Sequence, residues 1–255
     1  MKRILVIAGN TYREAVRDRV LYLLLFFAGS TIILSRLLAV LAVGDRVKII
    51  MDVGLASLSL FGALVAILVG TSLVYREIDK KTIFTLVAKP IHRHEFLLGK
   101  FFGLVFTQLV IVLLMTLFFQ AFLFIHTLHL DGPVFLAALY IFLELILLTA
   151  VAILFSSFST PILASLFTLS FYVIGHFSRG LLTLIRKMPA GAGRSIMRFF
   201  YFLLPDLENF NLKTEVVHHL PIPGAFLVKS AIYGLFYALF ILVLTVLVFR
   251  RRDFQ

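Results

Sequence analysis

Residues 75–100, YREIDKKTIFTLVAKPIHRHEFLLGK, form a dense polar segment between two long apolar runs. The runs on either side, residues 51–75 and 99–125, are each long enough to cross the hydrocarbon core of a bilayer, which takes about twenty apolar residues. A plain connection between two helices needs only about 2–8 residues. The polar segment is longer than that, so the sequence indicates that it does more than join two spans.

Residues 77–90 of this segment predict a short amphipathic helix. Its apolar residues, which include Ile83, Phe84 and Val87, lie among charged ones, and Pro90 ends it. The residues alone leave two interpretations open. The helix either lies on the membrane surface with its lysines near lipid phosphates, or it fits into a groove of a cytoplasmic partner protein.

The composition of the whole chain is that of a membrane protein. Of its 255 residues, 61% are hydrophobic and 15% are charged, whereas a soluble domain carries roughly a quarter charged residues. The net charge of +11 would suggest nucleic acid in a soluble protein. Here the charges lie between and beside apolar runs, which fits anionic lipid headgroups and excludes nucleic acid as the expected partner. The chain contains no cysteine, so disulfides, cysteine-ligated zinc and iron–sulfur clusters are excluded.

The apolar runs predict an all-α, polytopic membrane protein with one transmembrane domain over residues 1–255, because an open strand would leave unpaired amides in lipid. Six transmembrane helices are expected, over residues 20–43, 51–75, 99–125, 133–156, 161–177 and 225–249. In the last loop, residues 178–224, two segments mix apolar residues with Arg or Lys, SRGLLTLIRKM and GRSIMRFFYFLLP. They predict short re-entrant or interfacial helices.

Residues 1–19 are expected to form an interfacial helix before the first span. Thr11 and Glu14 have the spacing of a capping box, which predicts that a short amphipathic helix opens there and ends at Arg17 and Arg19; a helical extension of the first span is the alternative. Six spans place both termini on one side, together with most of the 24 Lys and Arg residues. This bias predicts a multi-pass protein of the cell inner (cytoplasmic) membrane with cytoplasmic termini and an extracytoplasmic last loop.

The chain lacks the common motifs of enzymes. It has no G-x-x-x-x-G-K-[ST] phosphate loop, and neither H-E-x-x-H nor G-x-S-x-G occurs. We therefore expect no catalytic residue, no metal site and no cofactor in this chain. If the protein uses energy, a partner supplies it.

One carboxylate, Glu144 in YIFLELILL, lies in the middle of a predicted span. An ionised carboxylate is costly there, so it should face protein or a water-filled cavity, or stay protonated. It either lines a substrate path or holds helices together through a hydrogen bond to a polar residue of a neighbouring span. Candidates for that bond are Gln108, Gln120 and Thr149, and the sequence does not decide between the two roles.

The opening stretch resembles the corresponding loop of type-2 ABC-transporter permeases, where an acidic residue, a Thr, P-x-x-R and a final GK occur in this order. In this chain these are Glu77, Thr82, Pro90 with Arg93, and Gly99 with Lys100. The family usually has Gly before the Thr, where this chain has Lys81. NTYREAVRDRVLYLLL at residues 10–25 is similar to the family's elbow helix. LPDLENFNL at residues 204–212 and the terminal RRRDF are most similar to the branch that contains the nitrous-oxide-reductase maturation permease.

The resemblance implies a homodimer of permease subunits that works with two separate ABC ATPase subunits, which bind ATP and Mg²⁺. The dimer interface would involve the first, second and fifth spans. Residues 77–90 would be the coupling helix, which contacts the ATPase through Glu77, Lys80, Lys81, Thr82, Ile83, Phe84, Val87, Pro90 and Arg93. The transporter would export or translocate an unidentified substrate, or transmit force to an extracytoplasmic protein that docks on residues 178–224.

Two other classes of function remain open. An intramembrane enzyme or haem protein would use His126, His129, His176 and Glu144. A membrane anchor would hold an extracytoplasmic partner on residues 206–219, which could coexist with transport.

Overall fold

The computed structural model of the chain describes residues 2–41, 45–79, 92–189 and 191–250. Its helices are α1 Lys2–Val16, α2 Arg19–Leu41, α3 Arg46–Asp79, α4 Arg93–Thr127, α5 Gly132–Ser156, α6 Pro161–His176, α7 Ser178–Lys187, α8 Ala192–Leu203, α9 Lys213–Val217 and α10 Gly224–Arg250, with a 3₁₀ turn at Leu207–Phe210. No strand occurs in these residues. The prediction of an all-α chain is confirmed for them.

The described residues include five helices that are long and apolar enough to cross a membrane, namely α2, α3, α4, α5 and α10. A sixth candidate is broken. The 16-residue α6 is followed by α7 at an angle of 69°, so this pair is either one bent span or a re-entrant loop. Of the six predicted spans, five are thus confirmed by length and composition, and the fifth along the chain is shorter and bent.

Helices α3 and α5 form the centre of the bundle. About two thirds or more of their apolar windows are buried, 67% in α3 and 72% in α5, against 28% in α2 and 33% in α10. The two central helices approach closely at Gly62, where an added Cβ would lie 2.7 Å from Leu145 Cδ1. Many side chains of α2 and α10 instead point outward, as expected for helices whose solvent is lipid.

The structure corrects the predicted start of the N-terminal helix. Helix α1 begins at Lys2, and Thr11 lies in its interior, where its hydroxyl donates to the carbonyl of Ile7 at 2.9 Å. A Thr inside a helix commonly bonds back to the carbonyl four residues earlier, so the spacing of a capping box can also occur within a helix. The helix is interrupted between Val16 and Arg19, so α1 is a separate helix and not an extension of the first span.

The predicted coupling helix, residues 77–90, lies mostly outside the described residues. Its first three positions belong to the backbone of α3, which runs to Asp79 rather than ending at residue 75. Helix α4 begins at Arg93, six residues before the predicted start of its span. The earlier start is capped, because the amide of His92 donates to Glu95 Oε2 at 3.1 Å.

The last loop contains the two short helices expected from its mixed apolar and basic segments. These are α7 and α8, and the 3₁₀ turn and α9 follow them. The turn packs into the bundle. Leu207 contacts α6 at Gly175 and Phe210 contacts α10 at Gly234, and both apolar side chains are fully buried.

Candidate functional site

Helix α1 lies against the first half of α4, the helix that follows the predicted coupling segment. Two glycines of α4 allow this contact. A Cβ added to Gly99 would lie 2.6 Å from the side chain of Ile7. A Cβ added to Gly103 would lie 2.6 Å from the carbonyl oxygen of Ala8. Since real Cβ atoms do not approach other atoms this closely, the two helices can pack here only because both positions are glycine.

Lys100 lies between these glycines and is buried under α1, with 1% of its side chain exposed. Its Nζ is 3.3 Å from Glu14 Oε2 on α1, and Glu14 is 39% exposed. A buried ammonium requires an acceptor, because its desolvation is otherwise uncompensated. Further along the helix pair, Arg3 Nη1 lies 3.8 Å from Glu95 Oε2.

An aromatic contact extends the same interface by a further turn. The rings of Tyr12 on α1 and Phe106 on α4 meet edge to face at 4.9 Å between centroids. Helix α1 is therefore held along α4 by close backbone packing, an ion pair and ring contacts. Gly99 and Lys100 are recognisable in the sequence as a motif. Glu14 is not recognisable there as the partner of Lys100, because 86 residues separate the two ionic side chains.

A polar cluster centred on His176 lies in the interior of the bundle, at the middle of α5. Its Nε2 is 2.7 Å from Glu144 Oε1 on α5, and its Nδ1 is 3.6 Å from Glu208 Oε2 on the 3₁₀ turn. Glu144 is 2% exposed and His176 is 19% exposed. The cluster thus joins two membrane helices and the last loop through one imidazole.

The partner of Glu144 in the structure, His176, is not among the three residues that the sequence offered for an interhelical hydrogen bond, although the enzyme or haem alternative includes both residues. Gln108 Nε2 donates to the carbonyl of Gly62 on α3 at 3.3 Å, and Gln120 Nε2 donates to the carbonyl of Asp131 at 2.6 Å. The hydroxyl of Thr149 donates to its own helix. Both glutamines therefore make contacts beyond their own helix, but neither is placed with Glu144.

Further hydrogen bonds join the cluster to α3. The ring of Tyr172 meets His176 edge to face at 4.7 Å between centroids. The hydroxyl of Tyr172 is 3.3 Å from Ser59 Oγ on α3. Three membrane helices, α3, α5 and α6, are therefore connected by polar contacts at the same depth.

The turn motif of the last loop is held by its own hydrogen bonds. The carboxylate of Asp206 accepts from the hydroxyl of Ser178 and, at 3.2 Å, from the amide of Glu208. The amide of Asp206 donates to Tyr233 Oη on α10 at 3.0 Å, and Asn211 Nδ2 donates to Glu208 Oε1 at 3.1 Å. These bonds fix the carboxylate of Glu208 beside His176.

The other two histidines considered for haem or metal binding, His126 and His129, make no hydrogen bond or ion pair with the cluster around His176 among the described residues. His126 Nδ1 lies 2.8 Å from the carbonyl of Phe122 in its own helix, and His129 is exposed. Within residues 2–41, 45–79, 92–189 and 191–250, no group of three or more His, Asp or Glu side chains is arranged to hold a metal ion.

Most residues of the predicted ATPase contact, at positions 80–90, lie outside the described part of the chain. Glu77 belongs to the last turn of α3, and Arg93 is the first residue of α4. In sequence, the predicted contact residues therefore comprise the end of α3, the start of α4 and part of the segment that connects them.

Comparison with known proteins assigns the family. Residues 5–254 match the sequence model of a family described as ABC-2 family transporter protein. No curated protein matches the chain. Because the family match covers almost the entire sequence, together with a set of helices long enough to span a membrane, the chain belongs to the ABC-2 family of multi-pass membrane transporter proteins.

Proposed function

We propose that the chain is the permease subunit of an ABC transporter, that it forms a homodimer, and that two separate ATPase subunits move it. In this assembly the partner binds ATP and Mg²⁺. The family match over residues 5–254 supports the membrane role. Outward side chains on α2, such as Phe26 at 71% and Leu37 at 60% exposure, are available for a second copy or for lipid.

Residues 77–90 act as the cytoplasmic coupling helix in this proposal. In sequence they comprise the last three residues of α3 and most of the connection to α4, and these two helices have 34 and 35 residues. Helices of this length transmit displacement of their ends as rigid-body movement. An ATPase that binds the coupling helix can therefore move α3 and α4 together.

The contact between α1 and α4 is the observation that carries the proposal. Gly99 and Gly103 bring the backbones together, and Lys100 is buried against Glu14, so α1 must follow any movement of the start of α4. Force delivered by the ATPase would thus reach three helices through one segment. In this proposal the contact between α1 and α4 faces the cytoplasm, because the excess of basic residues on that side favours a cytoplasmic orientation.

The polar cluster supports a mechanical role for the helices that it joins. Glu144 is buried and bonded to His176, which favours holding α5 to α6 over lining an open path. The loop of residues 178–224 would then either shape the exit for an exported substrate or pass force to an extracytoplasmic partner. The similarity of residues 204–212 to the nitrous-oxide-reductase maturation branch favours membership in that branch.

The test is a triple substitution in the coupling segment, Ile83→Ala, Phe84→Ala and Val87→Ala. We expect the variant to insert and fold, but to lose the co-purifying ATPase and the stimulation of ATP turnover in proteoliposomes. The control removes three exposed apolar side chains from α4, Leu113→Ala, Leu114→Ala and Leu117→Ala, and should keep both. Normal stimulated ATP turnover in the coupling variant would contradict the proposal.

A further inference from the structure

The two short helices of the last loop, α7 and α8, enclose a cleft of ≈ 240 Å³ that the transport proposal leaves unused. Its walls are Leu182, Ile185, Arg186, Arg198 and Tyr201. Sites that enclose a whole drug-sized ligand measure about 300–1,000 Å³. The cleft is smaller, so it suits a compact charged group rather than a whole organic ligand.

Within the described residues, no carboxylate compensates the positive charge in the cleft. Arg186 and Arg198 come from different helices and line the same space, and neither forms an ion pair with a carboxylate in the described part of the chain. Two guanidinium groups without an acid attract an anion with several oxygens, because each can donate two parallel hydrogen bonds to it.

Helix α8 continues this basic face beyond the cleft. Arg194 precedes Arg198 by four residues and Tyr201 follows it by three, so all three lie on one side of the helix. The Nε atom of Arg194 is buried and has no hydrogen-bond partner among the described residues. A buried donor without an acceptor is costly, so an acceptor other than the described residues is expected here.

Exposed apolar side chains flank the basic face. Leu184 on α7 is 52% exposed, and Ile196 and Phe199 on α8 are 57% and 63% exposed. Helix α7 begins two residues after the membrane helix α6 ends. Because α7 directly continues a helix of the bundle, we expect its exposed apolar side chains and those of α8 to contact the acyl chains of surrounding lipid, whereas a soluble anion would leave them uncovered.

We propose that the cleft between α7 and α8 binds an anionic phospholipid. The phosphate lies between Arg186 and Arg198, and the acyl chains run along the exposed apolar side chains of the two helices. The site does not depend on the ATPase partnership, since it requires only that the chain spans a membrane. Bound lipid would supply the acceptors that the arginines lack.

The test measures phosphatidylglycerol retained by the purified full-length protein, by native mass spectrometry after exchange into detergent containing phosphatidylglycerol and phosphatidylcholine. The variant is Arg186→Gln with Arg198→Gln. We expect its apparent affinity for phosphatidylglycerol to fall by about tenfold or more, since hydrogen bonds to charged groups are lost. The matched control, Arg36→Gln with Lys229→Gln, removes two exposed basic side chains at the same end of the bundle and should bind as the unaltered protein does.

A second variant protects the test against misfolding. Arg186→Lys with Arg198→Lys keeps both charges but loses the paired donors, so its affinity should fall between those of the unaltered protein and the Gln variant. Equal retention in all variants would overturn the proposal. So would equal stabilisation by inorganic phosphate without lipid, or loss of an acidic protein partner from the Gln variant while its lipid content stays unchanged.

Discussion

The carbonyl oxygen of Ala8 lies 2.6 Å from the point where a side chain at Gly103 would begin. This distance sets how closely α1 can approach α4, and no alternative residue preserves it. The same helix pair buries Lys100, whose ammonium is balanced by Glu14. At the residue scale, therefore, a glycine (Gly103) and a buried ammonium (Lys100) together determine the position of α1.

Gly103→Ala should displace α1 and lower the free energy of unfolding by about 1–3 kcal/mol, which is typical of adding atoms to a packed contact. The measurement is thermal unfolding of the detergent-solubilised protein, together with ATP turnover of the complex. Gly9→Ala is the matched control, because a Cβ there meets no atom within 4 Å. If both variants unfold alike, the close contact between α1 and α4 is not as described.

At the scale of elements, the 3₁₀ turn of the last loop connects α5, α6 and α10. Phe210 and Leu207 fill the space above Gly234 and Gly175, and Glu208 reaches His176. The turn is therefore a packed element of the bundle and not a surface connection. The first and last residues of the turn, Leu207 and Phe210, pack against the bundle, while Glu208 between them makes the polar contact.

Phe210→Ala should lower the free energy of unfolding by about 3–5 kcal/mol, as expected for truncating a buried aromatic side chain. Limited proteolysis should then cut residues 178–223 faster than in the unaltered protein. Phe236→Ala provides the comparison, since that ring is 69% exposed on α10. Equal proteolysis of the two variants would show that the turn is not anchored by Phe210.

His176→Leu should destabilise the protein by about 1–3 kcal/mol, because it leaves the buried carboxylate of Glu144 without the imidazole. The double variant, Glu144→Leu with His176→Leu, should recover much of the loss, since removing both partners of a buried hydrogen bond is nearly neutral. Unfolding midpoints measure both effects. A stable Glu144→Leu single variant that has lost transport would instead favour a role in the substrate path.

At the scale of the whole molecule, the sequence was sufficient to predict five of the six spans. A bilayer permits only helices for an open chain, so runs of apolar residues such as 133–156 translate directly into α5. Glu144 also stood out, since a carboxylate in such a run needs a partner. Its partner His176 lies 32 residues away, and no local pattern connects the two.

The errors have the same physical origin. The spacing of Thr11 and Glu14 predicts a helix start, where a Thr hydroxyl accepts from a backbone amide, but the same spacing also occurs inside helices, where the hydroxyl donates to the carbonyl four residues earlier. Helix α1 extends further because α4 offers Gly99 and Gly103 as a surface for it. Packing between segments distant in sequence determines where α1 begins and what it contacts, whereas hydropathy determines the spans.

The proposed homodimer can be tested on a clean background, because the chain has no cysteine. Single cysteines at outward positions of α2, Phe26→Cys, Ile33→Cys and Leu37→Cys, should yield at least one covalent dimer on mild oxidation in membranes. Phe236→Cys on α10 should remain monomeric. Dimers from α10 but none from α2 would place the interface elsewhere. No dimer at any position would argue for a monomer.

The 16 residues of α6 rise about 24 Å, because each helical residue adds about 1.5 Å. The hydrocarbon layer is roughly 30 Å thick. Helix α6 alone is therefore too short to cross this layer, and its last residue, His176, contacts Glu144 in the middle of α5. The polar groups at the end of α6 are thus expected at the depth of the acyl chains, where they would lower the barrier for water to enter the bundle.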